Sequence, residues 1–240
     1  MAVTCTCLWI ACAASKEVVR PKPKPPPAPV APAKVQAPKP QVSTVRVHGL
    51  HGTLTDADVH ETMEGRQREF GRCIATSRRN LKLVSGTIRF GFKVAGDGQV
   101  ADLRCVESTI GHRILEQCLT SVVGETQFPR PAGGGSTARF SWEMMVEPAT
   151  GKPPEDIDPD VLKPVLKKHA RELFHNCDVD RTRERFHVTA YLAKDGRVLS
   201  AGATATPAGA EDKVDCVLLE FGSWRIPKLH SRGKLSFVLH

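Results

Sequence analysis

Hydrophobic and polar positions fall into the same order twice along this chain. In the first pass, Thr55 can cap a helix that begins at Asp56, with Asp58 in its first turn. Val59, Met63, Phe70 and Ile74 then share one helical face. Ile88, Phe90, Phe92 and Val94 alternate with Thr87, Arg89, Gly91 and Lys93, the pattern of a half-buried strand. Gly96-Asp97-Gly98 supplies a hairpin turn, and Ala101, Leu103 and Cys105 continue inward on the return strand. Ile114, Leu115, Cys118, Leu119, Val122 and Val123 mark a second helix, and Phe140, Trp142 and Met144 form the inner face of a last strand.

The second pass repeats the scheme. Leu162, Leu166, His169 and Leu173 lie on a helix with Pro159 or Pro164 in its first turns. Phe186, Val188, Ala190 and Leu192 alternate on one strand, and Leu199, Ala201 and Ala203 follow on the next. Cys216 sits on a shorter helix, and Leu235, Phe237 and Leu239 close the sheet. Asp97, Cys118 and Pro129 are spaced as Asp195, Cys216 and Pro227 are, residue for residue. Cys73 and Cys177 precede them with gaps that differ by a loop, which chain entropy tolerates. Matching landmarks at fixed spacing are the signature of a duplicated unit. The pattern predicts an α+β fold in two tandem modules, each helix, strand, strand, helix, strand, with a small antiparallel sheet. The expected boundaries are a leader at 1–12, a spacer at 13–47, a first module at 48–147, a linker at 148–157 and a second module at 158–240.

The segment before the modules has a different character. Lys22 to Pro40 reads KPKPPPAPVAPAKVQAPKP, which excludes helix and sheet ladders and favours extended polyproline II. At ~3.1 Å per residue it reaches about 60 Å, so it is read as a solvated spacer. The first fifteen residues are apolar and uncharged, too few for a membrane-spanning helix and of the kind found in a secretory signal, although a charged start is missing. Leu8-Trp9-Ile10-Ala11-Cys12 resembles a lipoprotein cleavage box, with a small residue before the cysteine that takes the lipid and Trp9 where such boxes usually carry Leu. Lipidation of Cys12 is expected; the alternatives are an ordinary signal peptide or an uncleaved apolar tail.

Eight cysteines suit an exported protein better than a cytosolic one. None forms a C-x-x-C pair, which argues against structural zinc. Each module carries one Cys near the end of its first helix and one within its second. Both helices must cover the same sheet, so the repeat predicts bonds Cys73–Cys118 and Cys177–Cys216. Spacing alone does not fix connectivity, and four reduced, buried thiols are the competing reading. Cys105 is left over opposite Ala203 in the second copy. It is read as a buried apolar thiol, with an intermolecular disulfide as the alternative.

The net charge of +8 suits an anionic surface such as lipid headgroups or cell-wall polymer, although much of the excess is lysine in the spacer. Nucleic acid is not expected as a partner, since zinc-finger spacing, an aromatic–basic strand and a dense basic helix are all missing. Gly133-Gly134-Gly135 reads as a hairpin loop, because no Lys-Ser/Thr or helix start follows. His48, His51 and His60 read as surface histidines, so no metal and no cofactor is expected. No catalytic constellation stands out, and the chain is expected to be non-enzymatic.

Several stretches together carry a resemblance: His48-Gly-Leu-His-Gly-Thr-Leu-Thr-Asp56, Phe70-Gly-Arg-Cys73, Gly98-Gln-Val100, Glu107-Ser-Thr-Ile-Gly111, Leu115-Glu-Gln-Cys118, and Phe128-Pro-Arg-Pro-Ala-Gly-Gly-Gly135 leading to Phe140-Ser-Trp142. They resemble the AgmX/PglI C-terminal domain, a TonB-like family typical of myxobacteria and their relatives. The resemblance covers about 100 residues, Val47 to Glu147. The second module is a degenerate version, keeping both Cys, the Asp-Gly turn and Trp224-Arg-Ile-Pro227 but lacking the Gly-rich loop and the Ser-Thr-Ile-Gly segment. The family implies TonB-C-terminal-like modules in the periplasm or at the outer membrane, in gliding motility or envelope machinery. TonB domains pair strand to strand with a receptor peptide. An adaptor for an envelope protein partner, held to the membrane by an N-terminal lipid, is therefore expected. A structural lipoprotein tethering the membrane to peptidoglycan or another anionic polymer is the alternative. The candidate binding edge is the last strand of each module, at 138–145 and 234–239, carrying Phe140, Trp142, Met144, Leu235 and Phe237.

Overall fold

The computed structural model describes residues 53–240 apart from 134 and 138. The expected leader with Cys12, the Pro-rich spacer, and His48 and His51 lie outside the described residues. Those described form an α+β fold with two small sheets.

The first module opens as its capping residues dictate. The Thr55 hydroxyl accepts the Asp58 amide at 3.2 Å and the Asp58 carboxylate accepts the Thr55 amide at 2.9 Å, a reciprocal cap that fixes the start of α1 (Asp56–Gly65). That hydroxyl also holds the Asp58 pKa below its ordinary value. The expected single helix is two. It ends after Gly65, a poor helix former, and Arg66 turns the chain with φ −93° and ψ 7° before α2 (Gln67–Asn80). The break keeps Met63 and Phe70 on the core although they lie on different helices.

β1 (Gly86–Val94) runs between β2 (Val100–Ser108) and β3 (Phe140–Val146), all antiparallel. Phe90 pairs with Trp142 and Phe92 with Phe140. Trp142 stacks on Phe70 of α2 at 5.3 Å and on Phe90 at 6.1 Å, which seats the helix on the sheet. The return strand departs from simple alternation. Asp102 adopts φ 53°, the register slips between Gly91 and Lys93, and Ala101 faces solvent rather than the core, while Leu103 and Cys105 still pack inward. The inner face of α3 (Arg113–Gly124) buries Leu115, Leu119, Val122 and Val123; Ile114, expected with them, is exposed.

The second module is built on the same plan, from α4 (Lys163–Asn176), β5 (Arg185–Leu192), β6 (Val198–Thr206), α5 (Val214–Ser223) and β7 (Gly233–Leu239). A 3-10 turn at Pro159–Leu162 precedes α4, and Pro164 stands in its first turn. β5 lies between β6 and β7, as β1 lies between β2 and β3. Val188 faces Phe237 as Phe90 faces Trp142, and Ala190 faces Leu235 as Phe92 faces Phe140. Leu199 departs from expectation. A register shift after Tyr191 turns its side chain against the first module's core rather than its own.

The two Asp-Gly turns match bond for bond. Gly98 donates to Ala95 O and accepts from Phe128 N, as Gly196 donates to Ala193 O and accepts from Ile226 N. Asp97 and Asp195 each take the amide two residues on, at 2.9 and 3.1 Å. Both glycines have positive φ, 89° and 80°, and a Cβ on either would collide with the carbonyl of Phe128 or Ile226. The arm that follows each second helix is thus hydrogen-bonded onto the hairpin turn, and only glycine fits beneath it.

Candidate binding edge and the seam between the modules

Two disulfides pin the helices that back each sheet. Cys73–Cys118 joins α2 to α3 and Cys177–Cys216 joins the end of α4 to α5, with Cα atoms 5.8 and 5.6 Å apart. Cys105 is free; burial first, then the nearby Glu116 carboxyl, push its thiol up to about 12. A thiol held that far from ionisation is a poor nucleophile, so it acts here as a small apolar residue.

β3 is the terminal strand of its sheet among the described residues. The side chains of Phe140, Trp142 and Met144 point into the core and are buried, so the strand offers a partner its main chain and its outer residues, with Met145 about half exposed. Between β3 and the paired helices α1 and α2 runs a groove of about 160 Å³, with walls of Met63, Phe70, Ile74, Trp142 and Met144 and Gly71 among its lining. A Cβ added at Gly71 would meet nothing within 4 Å, so the missing side chain leaves the groove open. Trp142 Nε1 is buried beside it with no hydrogen-bond partner among the described residues. Met63, Phe70 and Trp142 were legible as core; the groove was not, because its depth depends on where the helix breaks at Arg66 and on the glycine at 71.

β7 is differently placed. The linker expected at 148–157 contributes β4 (Glu155–Asp156), which pairs in parallel with Gly233 and Lys234, and the Ile157 amide donates to Lys234 O at 2.7 Å. Leu235 is buried and Phe237 half-buried. The first residues of this candidate edge are already occupied by the chain's own linker.

The modules meet along β2 and α3 of the first and β5 and β6 of the second. Tyr191 stands on the side of β5 opposite Phe186, Val188 and Ala190, is fully buried, and joins the first module's core. Its hydroxyl accepts the Ser85 amide at 2.9 Å and donates to Ser85 O at 3.0 Å. Lys234 donates to Ser85 O at 3.2 Å and Thr109 O at 3.3 Å, and burial lowers its pKa. Arg113 of α3 binds Asp215 of α5 at 2.6 Å. Gly111 fits against Thr189 and Gly202 against Glu116, where a Cβ on either would clash. Sequence reasoning assigned none of these residues to a seam between the modules, although Gly111 fell in a singled-out motif and Lys234 on a candidate edge. Two signals were present: a tyrosine in the outward phase of β5, and a glycine inside β6, which marks close approach of another group.

Among the described residues, no group of three or more His, Cys, Asp or Glu side chains is placed to hold a metal ion, and His60 pairs with Glu64 at 3.1 Å. No described helix is long and apolar enough to cross a membrane. Compared with protein-family models, with curated proteins and with solved structures, the chain finds no match.

Proposed function

We propose that this chain is a non-enzymatic adaptor of the bacterial cell envelope, whose first module takes up an extended segment of a protein partner along β3. The observation that carries the reading is the terminal strand with an apolar groove at its side. An added strand gains affinity from main-chain hydrogen bonds, and one apolar side chain entering the groove gives selectivity. Two disulfides suit an oxidising compartment outside the cytoplasm. The resemblance to TonB-like AgmX/PglI domains supports the same mode of binding, in gliding or envelope machinery. In this reading Cys12 carries the lipid and the Pro-rich spacer sets the reach from the membrane.

Site-specific photocrosslinking in native envelopes tests it. A crosslinker at Met145 should capture a discrete protein partner, and Gly71→Leu, which fills the groove, should abolish the adduct. A crosslinker at Val238 on β7 should give none. Equal capture from both strands, or capture unaffected by Gly71→Leu, overturns the reading. The chain's net charge of +8 favours one second reading, a tether to anionic wall polymer. That reading predicts co-sedimentation with cell-wall sacculi that is lost steeply as salt rises and is indifferent to Gly71→Leu.

A further inference from the structure

Glu116 is a carboxylic acid where the fold offers it almost no water. It lies on α3, is 2% exposed, and faces the second module across the seam. The same position in the second module is Val214, so the scaffold does not require an acid there. Its Oε1 accepts the Ser108 hydroxyl at 2.6 Å, and Ser108 Oγ in turn accepts the Ile110 amide at 3.2 Å. Among the described residues its Oε2 finds no partner at hydrogen-bond geometry, the amides of Ala203 and Gly111 standing only nearby. The carboxyl lies flat against Gly202 of β6, the strand whose edge faces the first module.

We propose that Glu116 is a proton-operated latch between the two modules: protonated, its carboxyl docks on β6 and holds the seam shut; ionised, it loosens the seam. The physical cause is desolvation. An unpaired carboxylate against a strand backbone is disfavoured unless a cation or several donors meet it. Burial pushes its pKa up to about 7; the Ser108 hydroxyl, Arg113 and the amides of Ala203 and Gly111 offset this only in part.

The surrounding groups give no full compensation. Arg113, on the same helix, is engaged by Asp215 of α5. His112 caps α3, its Nδ1 accepting the Leu115 amide at 3.1 Å, and burial keeps its pKa below the ordinary histidine value. On β2, Cys105 stays a neutral thiol. On β5, Tyr191 also stays neutral, its pKa raised first by burial. Lys234 of β7 is bound to the carbonyls of Ser85 and Thr109. From β6, Gly202 lies against the acid and the Ala203 amide is aimed toward it.

The test uses the full chain and its own reporter. Tyr191 is the only tyrosine and lies on the seam. With ring-labelled tyrosine, carbon-13 NMR should show one signal that moves with pH around a midpoint near 7. Between pH 5 and 7, hydrogen-exchange protection of β6, corrected for intrinsic rates, should fall by up to roughly a hundredfold, tenfold per unit. Glu116→Gln should remove both dependences, while a residual step below the ordinary histidine range would belong to His112. Direct carbon-13 titration of the Glu116 carboxyl in the unmodified protein decides the matter even if the variant fails to fold. A midpoint near 4.5, or the same pH profile of Tyr191 in Glu116→Gln, overturns the proposal.

Discussion

In the first module the last strand, β3, stands at the end of its sheet with an apolar groove beside it. In the second, the equivalent strand, β7, has Glu155 and Asp156 laid along its first residues. The scaffolds behind the two strands match: a disulfide between the helices, a glycine turn clasped by the following arm, and the same facing pairs across the sheet. Aligned on the paired cysteines, Gly71, which leaves the groove open, corresponds to His175; aligned through the strand pairing, Trp142 corresponds to Phe237. The differences therefore sit at the outer edge of each sheet and at the seam with the other module, and the duplicated parts are those that make each small core stable.

Removing the disulfides tests the shared scaffold hardest. Replacing Cys73 and Cys118 together, or Cys177 and Cys216 together, with Ala should lower stability by about 4 kcal/mol in either module, because the closed loops of 45 and 39 residues are nearly equal. Denaturant unfolding would measure both, and a large asymmetry would break the equivalence. Trp142→Ala should come next, at roughly 3–5 kcal/mol, since Trp142 is buried between Phe70 and Phe90. Phe237→Ala, at a half-buried site, should show well under half of that in the same assay.

The acid at 116 separates the modules by pH. The Glu116 pKa in the fold is raised to about 7 from its ordinary 4.5. The folded chain keeps the proton while the unfolded chain releases it, so stability is greatest below 4.5 and declines as pH rises to about 7. The decline amounts to roughly 3 kcal/mol. Urea midpoints at pH 5 and 7.5 should show most of that difference, and Glu116→Gln should flatten it. Val214 gives the second module no such dependence.

Gly98→Ala and Gly196→Ala should each lose about 1–3 kcal/mol, by matching amounts, because each new methyl meets the clasping carbonyl at positive φ. The smallest effect is a gain. Gly71→Ala, inside α2 and open to space, should stabilise by about 0.5–1 kcal/mol in thermal unfolding while narrowing the groove.

What the sequence disclosed follows the reach of each interaction. The paired cysteines, the Asp-Gly turns and the alternation of Phe90 and Phe92 are local or repeated signals, and the structure carries each of them. The break at Arg66 was hidden because Met63 and Phe70 stay buried on either side of it. The slips at Asp102 and Leu199 move Ala101 and Leu199 to faces that simple alternation does not give them. Glu155 and Asp156 looked like linker because two acidic residues carry no strand pattern of their own; they pair only because β7 leaves main chain to pair with. Glu116 and Gly202 acquire meaning only across the seam, from parts of the chain that no periodicity connects.

The disulfides also set how far this molecule can be drawn out under tension. A chain pulled at its ends through an unfolding module gains length residue by residue, at about 3.4 Å each. The bonds Cys73–Cys118 and Cys177–Cys216 span 45 and 39 residues. They therefore withhold contour length of about 150 Å from the first module and about 130 Å from the second. A pull that melts both sheets still meets a short, inextensible connection, and the extra slack appears only after the sulfur–sulfur bonds are reduced.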